Sequence, residues 1–500
     1  MPPTKSLAAA LFAAVAFMPV AGAAQEHTVS LADALCILFR SSPSLEMLAA
    51  QTRLAQGTLL RTSGAFDVVA STTVQGQRVL LSNGTGVLTS EAFDDVVLQA
   101  GVGARTRDNF TWQLSGSLPL ISSLDARTTV DQPLASATLT VPLTKLGRSA
   151  GSGAEEQASA LRARAAAAAQ ADGESELVAR VADSYWRWVG SYQQLEVTRR
   201  LEALALDQVK DVDQLIAQHA RAPVDRLALV AAAENATATR MHAEQVVFEQ
   251  QQLIWDALGL PPPANVAPAS FELPTVPAVL LDAAPLARRA HALASDRPLL
   301  RSLADEVEAA STRADAASIA RRPDLNLLLR ATATRVERET SDENAAPPFA
   351  FGYYGGVGLQ LAMPILNRTA RGAFAEANAA KAQAQLGAQA RRNSVDVRID
   401  ALSSALDTIT RSYRERSRAA EQFEQAFESE RIKFRLGTAT AIEVVLAEQQ
   451  YMNACLETVN ERVAYAVTVV RLLHEAGALT AAIHSRDATA VASALTNPSL

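Results

Sequence analysis

The chain has 500 residues, of which 49% are hydrophobic but only 5% aromatic, so alanine and short aliphatic side chains supply most of the apolar content. This composition is typical of long, close-packed helices rather than of several thick globular cores. The net charge of −7 argues against a nucleic-acid partner. Two cysteines and six histidines exclude a disulfide framework and a structural zinc cluster.

Cys36 and Cys455 could still form a single bridge, but two small buried thiols are the simpler expectation.

The first 24 residues have the pattern of a signal peptide. Lys5 supplies a positive charge, Leu7–Val20 is apolar, and Ala21–Ala24 offers small residues for cleavage. We therefore expect residues 1–24 to be removed on export. The rest of the chain has no uncharged apolar run of about 18 residues, so a membrane-spanning helix is not expected.

The remaining chain repeats one plan twice. A shift of 218 residues places Asp225 on Glu443, and a shift of 222 places Val141-Pro142-Leu143 on Met363-Pro364-Ile365. The shift grows towards the start of the chain, so the first copy holds extra residues between about 66 and 143. We assign residues 25–260 to a first structural repeat, 261–285 to a proline-rich linker, 286–479 to a second repeat and 480–500 to a flexible tail.

Each repeat is predicted to contain an opening helix, strands, a very long helix and a closing helix. The opening helices are expected at 33–61 and 286–320, the long helices at 153–218 and 368–436, and the closing helices at 224–258 and 441–476. Residues 153–218 contain no proline, and as one helix they would extend for about 100 Å. A globular core does not require a helix of that length.

Strands are predicted at both ends of the segments 66–143 and 325–363, where apolar and polar residues alternate. The first segment also holds an inserted hairpin, 96–106 and 110–120, joined at Arg107-Asp108-Asn109. We expect this hairpin on the extracellular side, outside a set of four strands per chain.

The apolar pattern of the second closing helix, 441–476, predicts a coiled coil. Apolar residues recur there at alternating steps of three and four, with Gln449 as the one polar member. The pattern is formed by Ile442, Val445, Gln449, Met452, Leu456, Val459, Val463, Ala466, Val470 and Leu473.

Helix lengths and strand number together predict an oligomer. The opening and closing helices, laid end to end, match the long helix between them, so each repeat is expected to be a helical hairpin that grows from a strand pair. Four strands cannot close into a barrel, because small closed barrels need about eight or more. Three chains would give twelve strands continued by a ring of helices.

The doubled plan resembles the TolC family of outer-membrane efflux proteins. The resemblance rests on the strand ends at Pro142 and Pro364 and on the segment 431–446, and it covers nearly the whole mature chain. It implies a homotrimer with a twelve-stranded outer-membrane β-barrel and a long periplasmic α-helical tunnel in a Gram-negative bacterium. It also implies docking to a periplasmic adaptor of an inner-membrane pump, for efflux or type I secretion.

The resemblance assigns roles at matching positions only. Leu436, Gly437 and Thr438 match the glycine-containing hairpin tip that faces the adaptor, and the repeat shift places Gln218, His219 and Ala220 at the equivalent first tip. The first tip departs from the family pattern because His219 replaces glycine.

The family often carries an acid six residues beyond each tip, at the closed periplasmic entrance. This chain has Asp225 and Glu443 there, whereas Leu446 stands where a second acid can follow. Three carboxylates around a threefold axis would repel one another and attract cations. Either acid could instead only cap a helix start, and the two roles can coexist.

The sequence carries no HExxH, GxSxG or phosphate-loop motif, so no catalytic residue, metal or cofactor is predicted. The alternative interpretation is a periplasmic coiled-coil adaptor or scaffold without its own pore. That class of protein would not have paired amphipathic strands before each long helix.

Overall fold

The computed structural model describes residues 27–80, 92–122, 132–263, 266–277, 282–337 and 349–496. The predicted signal peptide, residues 1–24, lies outside these ranges. Helices form most of the described chain, and a six-stranded sheet is joined to them. The predicted fold class, mainly α with a small β part, is confirmed.

The first half of the chain runs from short elements to very long helices. Its elements are β1 (His27–Val29), α1 (Leu31–Ser41), α2 (Pro43–Ser63), β2 (Val69–Leu80), β3 (Ala92–Arg105), β4 (Thr111–Ser122), β5 (Gln132–Pro142), α3 (Gly151–Ala217) and α4 (Pro223–Leu258). The 67-residue helix α3 packs along its length against both α2 and α4.

The second half follows the same order with fewer strands. Its elements are β6 (Val266–Pro268), α5 (Ala283–Ala294), α6 (Pro298–Ala320), β7 (Asp324–Glu337), β8 (Phe349–Ala362), α7 (Arg368–Arg435), α8 (Ala441–Glu475), α9 (Leu479–His484) and α10 (Ala488–Thr496). Helix α7, with 68 residues, packs against α6 and α8. The short strand β6 pairs in parallel with β1, so the proline-rich linker is held against the start of the chain.

Each opening helix is divided in two by a proline. The sequence predicts continuous helices over 33–61 and 286–320, but α2 begins at Pro43 and α6 begins at Pro298. Proline lacks the N–H that a helix interior needs and drives the preceding residue towards extended backbone. Ser42 and Arg297 accordingly have ψ values of 120° and 133°.

The second of these corners is closed by a buried ionic network. The Arg297 guanidinium donates to Asp172 Oδ1 of α3 at 2.7 Å and to Glu475 Oε2 of α8 at 2.5 Å. All three residues are buried. Arg398 of α7 donates to the other oxygen of Glu475 at 3.0 Å, so four helices meet at this network.

The main hydrophobic core lies around the middle of α3. Trp188 and Val189 of α3, Leu35 of α1 and Val470 of α8 are fully or almost fully buried in it. Burial of this apolar surface is the main stabilising contribution at the level where α1, α3 and α8 meet.

The C-terminal residues belong to the same core. The sequence predicts a flexible tail from residue 480, but α9 and α10 bury Ile483, Val491 and Leu495 in the main core. Helix α10 packs on α1, whose Leu35 and Leu38 are fully buried. The tail is ordered because these apolar side chains recur on one face of each short helix.

The sheet contains six strands rather than the four counted from the sequence. Its order is β2-β3-β4-β5-β7-β8, and neighbours are antiparallel throughout. The additional strands are β3 and β4, the predicted inserted hairpin. They lie inside the sheet rather than beyond its far end, and their turn lies at the end from which the long helices start, where Arg107 binds Glu156 of α3.

The two faces of the sheet differ in polarity. One face presents large apolar side chains that are exposed, including Val74, Leu114, Leu118, Val357 and Leu359. The other face presents hydroxyl and amide side chains; one row across it consists of Ser71, Gly101, Ser115, Ser136, Thr332 and Tyr354. Side chains alternate between faces along each strand, so this division follows from the period-two sequence pattern.

Within the described ranges, no helix combines the length and the apolar character needed to cross a membrane.

Candidate functional site

The α3–α4 hairpin ends in a tight backbone turn at its tip. The His219 N–H donates to the Ile216 carbonyl at 2.9 Å, and the Ala220 N–H donates to the Leu215 carbonyl at 2.8 Å. This pair of bonds is the Schellman arrangement that commonly ends helices. Gln218 is the C-cap residue, so the three predicted residues of the first tip form this turn.

The α7–α8 hairpin ends in the same turn. The Gly437 N–H donates to the Phe434 carbonyl at 3.0 Å, and the Thr438 N–H donates to the Lys433 carbonyl at 2.9 Å. Leu436 is the C-cap residue. The second tip therefore repeats the backbone geometry of the first.

The two tips differ in the residue that takes the left-handed conformation. Gly437 has φ +82°, and His219 has φ +60° at the equivalent position. A glycine adopts this conformation without steric cost, whereas a residue with a Cβ is strained there. His219 therefore forms the same turn as Gly437 at an energetic cost.

Arg221 joins the two tips, a role that the sequence analysis did not predict. One nitrogen of its guanidinium donates to the carbonyls of Phe434 and Ala439, at 2.7 and 2.6 Å. The guanidinium carbon also lies 4.3 Å from the centre of the Phe434 ring. No repeat pattern marks this residue, because the 218-residue shift places Arg221 on Ala439 itself.

A small hydrophobic core supports the joined tips. It contains Val212, Leu229, Phe427, Phe434, Ala439, Ala441 and Val444, drawn from all four hairpin helices and the second turn. Arg435 adds an ion pair with Asp211 at 2.5 Å, between α7 and α3. The two tips are therefore held side by side as one unit.

Large apolar side chains around the tips face solvent. Those on the turns and the helix turns next to them include Val224, Leu227, Ile432, Leu436 and Ile442, each more than half exposed. We call these five residues the tip apolar residues. Exposed apolar groups of this size, next to rigid turns, are typical of a surface that contacts another protein.

Asp225 lies in the first turn of α4, beside Arg221. Its carboxylate is 3.8 Å from the Arg221 guanidinium, and both side chains are mostly shielded from solvent. The helix N-cap is Ala222, which has no side-chain acceptor for the free N–H groups. Asp225 therefore pairs with the arginine that joins the tips.

Glu443 lies at the equivalent position of α8 and forms a capping box with Thr440. Its carboxylate accepts the Thr440 backbone N–H at 2.7 Å, and the Thr440 hydroxyl accepts the Glu443 N–H at 3.3 Å. The backbone hydrogen bond from Thr440 lowers the pKa of Glu443, and the Thr440 hydroxyl lowers it further. A capping role for Glu443 is thus visible in the geometry, and Glu443 remains exposed and charged.

A buried acid close to the tips was also missed by the sequence analysis. Glu448 of α8 is 7% exposed and accepts a hydrogen bond from Gln208 Nε2 of α3 at 3.2 Å. Burial raises the pKa of Glu448 to about 7, and the bond from Gln208 opposes this shift. It lies between two packed helices at a position that hydrophobic periodicity does not mark, because it is charged.

Pro142 and Pro364 lie where strands give way to helices. Pro142 is the last residue of β5, and the next N–H, of Leu143, donates to the Leu325 carbonyl at 2.7 Å. Pro364 follows the end of β8 and precedes the start of α7 at Arg368. Both prolines therefore lie at the end of the sheet from which the long helices start.

The two cysteines do not form a disulfide. Cys36 and Cys455 are free thiols, and each is partly exposed rather than fully buried. In the part of the chain that the structure describes, no group of three or more His, Cys, Asp or Glu residues is placed to hold a metal ion.

Comparison with known proteins identifies the fold. A scan of family models gave no match to the sequence, and a search of curated proteins gave none either. Among solved structures, the outer membrane protein VceC from Vibrio cholerae matches 89% of this chain and 96% of its own, with a TM-score of 0.66 and 16% identity. The Campylobacter jejuni CmeC outer membrane channel matches 98% of both chains, with a TM-score of 0.66 and 13% identity.

A third solved structure agrees with these two. The open state of the Neisseria gonorrhoeae MtrE outer membrane channel matches 89% of this chain and 88% of its own, with a TM-score of 0.61 and 15% identity. CmeC and MtrE are both outer membrane channels.

Proposed function

Because the chain has the fold of the TolC-type outer-membrane efflux channels, we propose that it is one subunit of an outer-membrane exit duct. Three chains form a passive conduit from the periplasm to the outside, and the long helices form its periplasmic tunnel. The duct serves a tripartite efflux or type I secretion system. It carries out no catalysis and needs no cofactor.

The six-stranded sheet is the observation that supports this proposal most directly. Its edge strands, β2 and β8, have 12 and 14 residues, and within the described residues each pairs with a strand on one side only. An unpaired edge of this length invites pairing with another chain. When β8 of one chain pairs with β2 of the next, a ring forms by repeated head-to-tail contact.

The polarity of the sheet fits a wall between lipid and water. Transmembrane strands present apolar residues to lipid and polar residues to the lumen. Val357 and Leu359 on the exposed apolar face would contact lipid, and Ser115 and Thr332 on the other face would line the lumen. A periplasmic adaptor, the alternative function, has no use for an exposed apolar sheet face joined to its helical hairpins.

The joined tips support docking to a periplasmic adaptor of an inner-membrane pump. The turns at 218–220 and 436–438 and the tip apolar residues form the docking surface in this proposal. Asp225 and Glu443 then stand close to the periplasmic entrance. Export selectivity resides in the pump, because a passive tube makes few specific contacts with its cargo.

The trimer is the first property to test. The mature chain is expressed in a Gram-negative host, extracted from the outer membrane in detergent, and compared with and without heating on a gel. We expect a heat-sensitive trimer that forms pores in a planar bilayer. A water-soluble monomer without affinity for lipid would contradict the proposal and favour the adaptor alternative.

The docking surface is tested with Arg221→Ala. Loss of two charge-assisted hydrogen bonds should weaken the link between the tips by about 2–4 kcal/mol. We expect binding to the cognate adaptor to fall at least tenfold while the trimer still inserts. Arg226→Ala is the matched control, because Arg226 makes only an exposed ion pair with Asp213 at 2.7 Å.

Gly437→Pro provides a second test of the same surface, because the ring of proline fixes φ near −65° and cannot follow a φ of +82°. Normal export by either the Arg221 or the Gly437 variant would contradict the docking assignment.

A further inference from the structure

We propose that the trimeric wall has eighteen strands rather than twelve, because the β3–β4 hairpin of each chain is part of the wall. The bore through the outer membrane is then wider than a twelve-stranded barrel and admits bulkier polar cargo. This inference rests on the proposed function, since it requires three chains around one pore. Three observations support it: the hairpin pairs with strands on both sides, its turn is bonded to α3, and its two faces match the polarity of the sheet.

The hairpin is paired on both sides along the sheet. Strand β3 pairs with β2 from Val69 opposite Gly103 to Leu80 opposite Ala92. Strand β4 pairs with β5 from Thr111 opposite Thr140 to Gly116 opposite Ala135. The hairpin therefore separates β2 from β5, the two strands that would be neighbours without it.

The turn of the hairpin is built into the start of the long helix α3. Arg107 makes two hydrogen bonds with Glu156, at 2.9 and 2.8 Å, and its guanidinium lies 5.1 Å from the centre of the Phe66 ring. Asn109 Nδ2 donates to the Lys145 carbonyl at 2.9 Å. These contacts join the turn to the residues on both of its sides in the chain.

Gly153 in the first turn of α3 gives the hairpin turn room to approach. A Cβ at this position would lie 3.0 Å from the carbonyl oxygen of Arg107 and 2.6 Å from that of Arg148. The backbone of α3 is thus shaped around the hairpin turn. A loose surface insertion would not require such a fit.

The faces of the hairpin continue the faces of the sheet. Val102 and Leu114 lie in the same apolar row as Ala70 and Ala137, and both are exposed. On the polar face, the hydroxyl of Ser115 is 2.8 Å from that of Ser136 of β5. A hairpin folded into a water-filled lumen would have no reason to keep an apolar face, whereas a strand in the wall needs one.

The pore size follows from the strand number. Barrel diameter grows roughly in proportion to the number of strands at constant tilt, so eighteen strands give a diameter about 1.5 times that of twelve. Closed barrels of about 16 to 18 strands leave an aqueous channel. The luminal row is rich in hydroxyl groups, and Arg330 lies on the same face in a neighbouring row, so the lining suits polar cargo.

Pairs of cysteines introduced on the polar face distinguish an eighteen-stranded wall from a twelve-stranded wall. The native cysteines are first removed by Cys36→Ser and Cys455→Ser. In that background, Thr73→Cys with Gln99→Cys tests whether β2 and β3 are neighbours. Ser115→Cys with Ser136→Cys tests the same for β4 and β5.

The pair Ser71→Cys with Ser136→Cys tests whether β2 and β5 are neighbours. In the eighteen-stranded wall these two residues are three strand spacings, or roughly 14 Å, apart, which is too far for a disulfide.

We expect the first two pairs to link in outer-membrane trimers after oxidation and the third pair to remain reduced, as seen by mass spectrometry of the linked peptides. A Ser71–Ser136 link in trimers would overturn the eighteen-stranded wall and leave the proposed duct intact. Absence of any trimer would instead contradict the proposed function itself.

A deletion of residues 92–131 tests the consequence for pore size. The row shared by Ala70 and Ala137 shows that β2 and β5 could pair directly with matching faces and directions. We expect purified trimers of this variant to have a barrel whose diameter in electron-microscopic top views is about two-thirds that of the parent. An unchanged diameter would overturn the inference.

Discussion

At the residue scale, the two hairpin tips show how one backbone turn can be built from different residues. Both Gly437 and His219 have positive φ values, although only glycine takes this conformation freely. The repeat shift points to both turns, but histidine at the first tip carries no local signal of a left-handed residue. The hydrogen bonds that the His219 and Ala220 N–H groups donate to the Ile216 and Leu215 carbonyls hold His219 in place.

The strain at the first tip is measurable with two reciprocal substitutions. His219→Gly should stabilise the first turn by about 1 kcal/mol, and Gly437→Ala should destabilise the second by a similar amount. A Cβ at Gly437 would meet no atom within 4 Å, so that change tests conformation alone. Hydrogen exchange of the turn amides is the measurement, and faster exchange in His219→Gly would contradict the assignment.

Two substitutions of Glu443 can separate the effect of its charge from the effect of its hydrogen bonds. If its charge acts at the entrance, Glu443→Gln and Glu443→Ala should both reduce the cation preference of the isolated channel in a planar bilayer. If Glu443 only caps α8, the glutamine variant should behave like the parent, because its side-chain oxygen still accepts from Thr440. We expect both variants to reduce cation preference, and we expect Glu443→Ala to speed amide exchange at the start of α8 more than Glu443→Gln, whose neutral side-chain oxygen keeps only part of the cap.

The pH dependence of the Glu443 cap follows from the direction of its pKa. Because the pKa is lowered in the folded chain, the contribution of the cap is present above the unfolded value, near 4.5, and is lost as pH falls through the lower folded value. Amide exchange at the start of α8, corrected for intrinsic rates, should therefore speed up on acidification through this range. Glu443→Gln should lack this response.

Glu448 predicts a pH effect of the opposite sign. Its folded pKa of about 7 exceeds the ordinary value, so the stability of the α3–α8 contact is greatest below about pH 4.5 and falls as pH rises to about 7. The difference amounts to roughly 3 kcal/mol.

Glu448→Gln should remove this dependence and stabilise the contact at alkaline pH. The measurement is the midpoint temperature of thermal unfolding of the purified protein, followed from mildly acidic to mildly alkaline pH. Glu457→Gln, on the exposed face of α8, is the matched control and should keep the slope of the parent. Equal slopes for the parent and Glu448→Gln would refute the assignment.

At the element scale, the sequence predicts the long helices well and the breaks in the two opening helices less well. Helix α3 begins two residues before its predicted start at 153, because a long proline-free pattern leaves little choice. The breaks at Pro43 and Pro298 were missed, although proline is a known signal for a helix start.

The predicted coiled-coil pattern in α8 is followed only in part. From Val459 to Leu473 most of its members are buried, but Ile442 is exposed and the neighbouring Ala441, Val444 and Glu448 are buried instead. A straight helix drifts by about 20° per heptad from a 3.5-residue repeat, so one stripe cannot face the same partners along 35 residues.

The Arg297 network makes the second corner sensitive to substitution. Arg297→Ala leaves Asp172 and Glu475 without their main cationic partner, which should destabilise the folded chain by about 3–5 kcal/mol. Arg301→Ala, which removes an exposed pair with Asp296, should change stability by less than about 1 kcal/mol. Thermal denaturation of both variants checks the prediction, and equal losses would show that burial of the network contributes nothing.

At the scale of the whole molecule, two repeats and amphipathic strands were enough to predict the fold class. The position of the extra hairpin was not predictable, because alternation identifies a strand but not its neighbours. Two antiparallel strands can extend a sheet or project from it with the same residue pattern. The contacts of Arg107 and Asn109 decide between these arrangements, and they link residues that are distant from one another in sequence.

The β3–β4 hairpin, which lies between β2 and β5, also suggests how such proteins diversify. Inserting two strands of opposite direction leaves the direction and connection of all the other strands unchanged. A gene could therefore gain or lose one hairpin without redesigning the helices, and each such event would alter a threefold assembly by six strands at once. Channel calibre would then evolve in discrete steps through short duplications, rather than by gradual substitution along the lining.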